Sequence, residues 1–277
     1  MRTGLIRLLG DSLVDLTDFP SRAATRKLHL PPKRLRDVGS GDFEGTGAEF
    51  LGYFIEFGRL VPSDRVLEIG CGCERMALPL TRYLHGTGGY AGMDVVRESI
   101  AWCRKRISAR YPNFHFYFAD VHNKRYNPRG TRLARDYTFP LEDGSFDVVL
   151  LTSVFTHMVP DDVERYLREI SRLLNDKGRV FITLFLLNET QRDLAKQRRN
   201  QMDFPFALGD YRILDVEIPE RAVSYEEAYI RDLFDRHDLS INEPIIYGKW
   251  SGRHGGRSLQ DIVVASKNIR DQLIKDV

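Results

Sequence analysis

The sequence predicts an α/β fold: a doubly wound, mostly parallel, seven-stranded sheet with helices on both faces and an antiparallel final strand. Three observations carry this. From Arg65 onward, short apolar runs bounded by turns alternate with amphipathic helical patterns. Two of the runs, residues 146–152 and 179–187, are almost continuously apolar, as strands covered on both faces must be. The 277 residues, 42% hydrophobic and 29% charged, supply enough apolar material for one large core or two small ones.

Taken in order, a Pro-rich and basic lead-in precedes residues 48–60, where Phe50, Leu51, Phe54, Ile55 and Phe57 recur at helical spacing and predict a cover helix. RVLEIG is a buried strand, RMALPLTRYL a helix, YAGMDVV a second strand, and RESIAWCRKRISARY a helix that must end before Pro112. FHFYFAD is the third strand. The amphipathic helix DDVERYLREISRLL joins the fourth and fifth, and Asn175-Asp176-Lys177-Gly178 turns the chain into the latter. A helix at residues 224–236, a strand at 241–247, a Gly-rich turn and the strand DIVVAS close the chain. Two stretches break the rhythm, residues 121–143 and 188–221. Insertions of this length in α/β proteins are lids or substrate walls. The expected organisation is a lead-in over 1–46, one domain over 47–267 and a tail over 268–277.

Charge and cysteine usage narrow the function. Forty-one Lys and Arg against 39 Asp and Glu leave a net charge of +2, which advertises no polyanion, so nucleic acid is disfavoured as a partner. Three Cys, with Cys71 and Cys73 two apart, build neither a disulfide framework nor a zinc site, and no metal is expected. Nothing approaches 18 consecutive apolar residues, and the start mixes Arg7 and Asp11 into its apolar stretch. A cytoplasmic protein without a membrane span is the expectation.

The sharpest motif is VLEIGCGCER, a strand running into a glycine-bearing turn and a helix. Gly70 and Gly72 lack the Cβ that would hold a ligand away, and the helix offers its positive end. A dinucleotide loop would need glycine where Arg75 stands, which weakens that reading. The stretch resembles motif I of the class I S-adenosylmethionine-dependent methyltransferases, with Glu68, Gly70 and Gly72 in register and Glu74 in place of a third glycine. That resemblance implies a Rossmann-like fold and S-adenosylmethionine as cofactor. It implies further that Asp94, with Val95, holds the ribose hydroxyls, that Asp120, with Val121, meets the adenine, and that Ser153 and Val154 follow the fourth-strand motif. Cys71 sits within the same turn, where steric fit explains the CxC spacing better than ligation. Glu74 is expected to crowd the turn or to add charge near the methionine end of the cofactor.

For the acceptor, the strand-four end offers Thr152, Ser153, Val154, Phe155, Thr156 and His157. His157 alone has an ordinary pKa suited to a general base at neutral pH. The amino-methylating Pro-Pro-Tyr element is missing, as is the acidic cluster of the magnesium-dependent class. These point to O-methylation of a small-molecule or glycan-like acceptor, with N- or C-methylation of a metabolite and cofactor binding without turnover left open. Tyr53 and Phe155 are candidate pocket walls. The topology also sends the Gly-rich turn toward the ligand side, making Trp250 and Arg253 candidates for an acceptor ring or anion.

Overall fold

The structure is a computed structural model that describes residue 14, residues 17–36 and residues 42–268. The sheet contains β1 (Arg65–Ile69), β2 (Gly89–Asp94), β3 (Phe114–Phe118), β4 (Phe146–Leu151), β5 (Leu174–Leu184), β10 (Leu239–Ile241) and β11 (Asp261–Lys267). Their spatial order is β10-β11-β5-β4-β1-β2-β3, with β11 antiparallel to both neighbours and the pairs among β1 to β5 parallel. The order reverses between β1 and β4, so the crevice beyond their carboxyl ends is where ligands of such sheets bind.

Alternation along each strand divides the core into two layers. Leu67, Val149, Leu151, Val180, Ile182 and Val263 face α4 (Pro160–Leu173) and α6 (Glu227–Arg236). Val66, Val148, Leu150, Phe181, Ile262 and Val264 face α1 (Phe43–Glu56), α2 (Ala77–Tyr83) and α3 (Arg97–Cys103). A strand stretch covered on both faces must be apolar, as Val148–Leu151 of β4 and Val180–Ile182 of β5 are.

The cover helix starts earlier than its apolar spacing indicates, at Phe43, because Phe43 and Gly47 also pack inward. Before it, residues 17–24 are helical. Leu30 and Phe43 bury against Cys73, and the Cys73 thiol donates to the Leu35 carbonyl at 2.9 Å, so this part of the lead-in lies on the glycine turn. The expected tail falls outside the described residues from 269 on.

Three elements differ from expectation. The turn at Asn175–Gly178 is a bulge within β5: Phe146 pairs with Leu174, and Val148 already with Arg179. Residues expected to open a helix at 224 instead form β9 (Val223–Glu226), whose β-branched and aromatic side chains are buried. The strand expected to reach Tyr247 stops at Ile241, just before Glu243-Pro244, where proline can give the ladder no N–H. β9 belongs to a second, four-stranded sheet with β6 (Leu186–Leu187), β7 (Phe206–Ala207) and β8 (Tyr211–Ile213), in the order β6-β9-β8-β7. The second insertion itself holds β7, β8 and α5 (Glu189–Lys196).

Candidate active site

The glycine turn hangs on the end of β2. The amides of Gly70 and Cys71 both donate to the Met93 carbonyl, at 2.8 and 3.0 Å. Gly70 has a φ of 74°, and a Cβ there would sit 2.5 Å from the Val154 side chain. Gly72 also has a positive φ, but a Cβ there would meet nothing within 4 Å, so it faces open cleft. Asp94 stands at the end of β2 with one carboxylate oxygen accepting from the Gly72 amide and the other from the Val96 amide, each at 2.7 Å. Its carboxyl therefore shapes the turn and lines the cleft. Burial pushes its pKa up while the backbone donors pull it down. Glu68, one turn deeper, is buried and accepts from the Tyr90 hydroxyl at 2.5 Å; burial pushes its carboxyl up to about 8.

Two clefts meet over this turn. The first, about 1080 Å³ counted to its open mouth, is lined by Gly70, Gly72, Asp94, Val95, Val121, Ser153, Val154 and His157, with Tyr126 and Glu220 from the two insertions. The second, about 1030 Å³, is lined by Glu68, Cys71, Arg75, Thr183 and Gln260. They share Leu35, Gly70, Gly72, Thr152 and Ser153. Asp120 is the one sequence-predicted cofactor residue that lines neither. Its carboxylate accepts from the Thr131 hydroxyl at 2.7 Å, holding the first insertion, and Ala119 and Val121 supply the wall on either side.

His157 sits in a single helical turn, Phe155–His157, directly after β4. Its Nδ1 lies 2.9 Å from the Glu220 carbonyl, which makes Nδ1 the donor, and Nε2 lies 3.5 Å from the Tyr126 hydroxyl. Burial holds its pKa below the usual value, so the ring is neutral at neutral pH with its lone pair on Nε2, facing the Tyr126 hydroxyl. That is the protonation state and tautomer a general base needs.

A polar chain at the joint of the clefts carries no sequence signature. Ser153 has a φ of 60°, an uncommon conformation for a residue with a side chain. Its amide donates to the Thr183 hydroxyl (2.8 Å), which donates to Gln260 Oε1 (2.5 Å), and Gln260 Nε2 donates back to the Ser153 hydroxyl (2.8 Å). The strained backbone is thus fixed by side chains from β5 and from the residue before β11.

Four expected pocket walls lie elsewhere. Trp250 is fully buried against Phe185 and Phe204 and donates to Asp261 at 2.8 Å, because an indole that size earns more from core packing than from an exposed turn. Phe155 is fully buried in the main core. Tyr53 is buried, its hydroxyl 2.6 Å from Glu49 and 2.9 Å from the Arg257 carbonyl. Arg253 stacks on Tyr247 and donates to Asn188, lining neither cleft. The Gly-rich turn does border the site, through Ser258, Leu259 and Gln260 at its far end. Glu74 does not crowd the cleft either. At a φ of 80° it turns behind the glycine turn toward Trp102, with Oε1 buried and unpartnered, and burial pushes its carboxyl up to about 7. Among the described residues no cluster of three or more His, Cys, Asp or Glu is arranged to hold a metal ion, and no helix is long and apolar enough to cross a membrane.

The arrangement suits a nucleoside linked to an amino acid. The bare floor over Gly72 and the Asp94 carboxylate fit a ribose diol in the first cleft, and Arg75 offers a cation to the carboxylate of an amino-acid end in the second. Comparison with known proteins agrees. Residues 67–182 match the family described as a methyltransferase domain. The chain is 27% identical over 166 residues to the eEF1A lysine and N-terminal methyltransferase of Mus musculus, covering 55% of this chain and 21% of that protein. It is 26% identical over 179 residues to the 2-phytyl-1,4-naphtoquinone methyltransferase of Trichormus variabilis, covering 64% of this chain and 67% of that protein. It is 25% identical over 162 residues to a tRNA N(3)-cytidine methyltransferase of Gallus gallus, covering 55% and 35%. The chain thus spans about a fifth of the length of the mouse protein and a third of the chicken one. Among solved structures, a SAM-dependent methyltransferase from Methanosarcina mazei superposes with a TM-score of 0.53 at 19% identity, covering 78% of this chain and 98% of that one. The methyltransferase domain matched at residues 67–182 and the strand order around it support a class I S-adenosylmethionine-dependent methyltransferase.

Proposed function

We propose that this protein transfers the methyl group of S-adenosylmethionine to an oxygen of a small-molecule or glycan-like acceptor, with His157 as general base. The observation that carries the reading is the neutral His157 ring, tautomerically fixed by the Glu220 carbonyl and lining the same cleft as Asp94. Held between the two clefts, S-adenosylmethionine would supply an electrophilic methyl on a sulfonium. Asp94 and Val95 hold the ribose, Ala119 and Val121 flank the base, and Gly70 and Gly72 give the backbone approach. Ser153 and Val154 close the joint, and Glu68, Cys71 and Arg75 meet the amino-acid end.

His157 Nε2 takes the acceptor proton as the new C–O bond forms, which removes the charge that would otherwise remain on the oxygen. Orientation in a closed cleft supplies the rest of the acceleration. The relatives named above act on protein, a quinone or tRNA, so the acceptor class rests on the site alone. A cytoplasmic location belongs to the same reading.

Methyl transfer from radiolabelled cofactor to a panel of sugars, carboxylic acids, phenols and amines, with the methylated atom assigned by NMR, tests it. Label on a hydroxyl oxygen is the expected result. Label on nitrogen or carbon sinks the oxygen assignment, and cofactor binding without transfer to any acceptor sinks turnover.

A further inference from the structure

The first half of the first insertion carries Lys124, Arg125, Arg129, Arg132 and Arg135, all exposed. The loop beneath them is tightly folded. Asn123 and Asn127 exchange backbone hydrogen bonds at 3.1 and 2.9 Å, the His122 amide donates to the Arg132 carbonyl at 2.6 Å, and the Arg132 amide donates to the Asp120 carbonyl at 3.1 Å. Gly130 lies so close to Val121 that a Cβ would meet its backbone at 2.4 Å. The cations therefore stand on a double turn folded back over the end of β3, whose inner face contributes His122, Asn123 and Tyr126 to the first cleft.

Two of these charges, those of Arg125 and Arg135, act on groups that line that cleft. The Arg125 guanidinium lies 5.1 Å from the Tyr126 ring, and its charge is among those that hold His157 neutral. The Arg135 charge reaches Asp162, which lines the same cleft. Lys124 donates to the Glu217 carbonyl of the second insertion, bridging the two walls without meeting an acid. Among the described residues, none of the five lies within ion-pair distance of a carboxylate, whereas Arg165 and Arg172, which anchor the other half of the insertion, both pair with Glu169.

We propose that this rim is a phosphate subsite, and that the acceptor methylated in the first cleft carries a phosphate ester or diphosphate beside its reactive hydroxyl. Guanidinium forks match phosphate oxygens two at a time, and a group of cations this small suits one or two phosphates. A polynucleotide track engages many more phosphates along its length, and the chain as a whole is only +2. The inference rests on the methyl-transfer reading for what the subsite serves, but its binding chemistry stands apart.

The test is calorimetric titration of the full chain with inorganic pyrophosphate at fixed ionic strength, with and without S-adenosylhomocysteine. The wild type is expected to bind pyrophosphate, and Arg125→Ala combined with Arg129→Ala to weaken binding at least tenfold. Arg125→Lys should lose less, and Lys105→Ala, on the exposed turn after α3, nothing. S-adenosylhomocysteine affinity should be the same throughout. No pyrophosphate binding, or equal binding by the double variant, overturns the subsite. So does tight binding of a 20-nucleotide RNA that pyrophosphate fails to displace, which would make the rim a polynucleotide contact. If S-adenosylhomocysteine fails to bind while pyrophosphate binding still follows the arginines, the methyl-transfer reading falls and the phosphate subsite stands.

Discussion

The first cleft has two walls made in different ways. The inner wall is strand ends: Gly70, Asp94, Val121 and Ser153 sit where β1 to β4 stop, and the parallel ladder fixes their spacing. The outer wall is insertion, pinned by single side chains to backbone carbonyls: Arg165 to Tyr137, Arg172 to Phe139 and Leu141, and His157 to Glu220. Trp250, with Phe185 and Phe204, supports the second insertion from beneath. A wall held by a whole sheet absorbs the loss of one side chain. A wall held by a few anchors does not.

This difference is open to measurement, and the largest effect should come from the outer wall. Trp250→Ala removes a buried indole and leaves Asp261, whose carboxyl burial pushes up to about 6, short of a donor; urea denaturation should show a loss of about 3–5 kcal/mol. The folded variant should still bind S-adenosylhomocysteine normally, and a parallel loss of affinity would break the distinction between the walls.

Next is His157→Gln, which should lower turnover about 100-fold with cofactor affinity unchanged. Burial depresses the pKa of the wild-type ring, so activity should rise with pH only below the ordinary histidine range and be flat at neutrality. The variant should lack that limb; near-normal turnover with the limb intact would make His157 structural.

Asp94→Ala belongs to the inner wall and should cost roughly 2–3 kcal/mol of cofactor affinity by calorimetry, since a charge-assisted acceptor pair is lost. Normal binding would mean that the ribose lies elsewhere.

The smallest effect per step of the measurement is a pH slope. Glu68 is raised to about 8 from an unfolded value near 4.5, so the folded state holds a proton that the unfolded state has released. Its contribution is therefore fully present below pH 4.5 and lost as pH rises through 8. Melting temperature should fall across that window, and Glu68→Gln should flatten the fall by about 1 kcal/mol per pH unit.

The inner wall was legible because each of its positions follows an apolar run that predicts a strand, and strand ends in an open α/β sheet converge on one crevice. The resemblance to the methyltransferase motifs then implied which of these positions, Glu68, Gly70, Gly72, Asp94, Val121 and Ser153, meet the cofactor. The outer wall was not legible in this way. Tyr126 and Glu220 enter the cleft from loops held by Asn123, Lys124, Asp215 and His157, and no local pattern announces which side chain will reach which backbone group. Gln260 was missed by a few residues: the topological argument chose the right turn and stopped at its aromatic residue, although an apolar ring buries and a neutral amide stays at the rim. β9 was read as helix because a short strand of an accessory sheet leaves too few residues for its period to stand out from the helix that follows.

Asp94 has a further consequence. The carboxylate assigned to the ribose is the same one that accepts from the Gly72 and Val96 amides, so the ligand and the turn draw on one set of lone pairs. Cofactor affinity and turn geometry are then a single coupled quantity. A thermodynamic cycle built from Asp94→Asn and Gly72→Ala should close with a substantial interaction energy, and no fraction of the loss at either position can be credited to ligand contact alone.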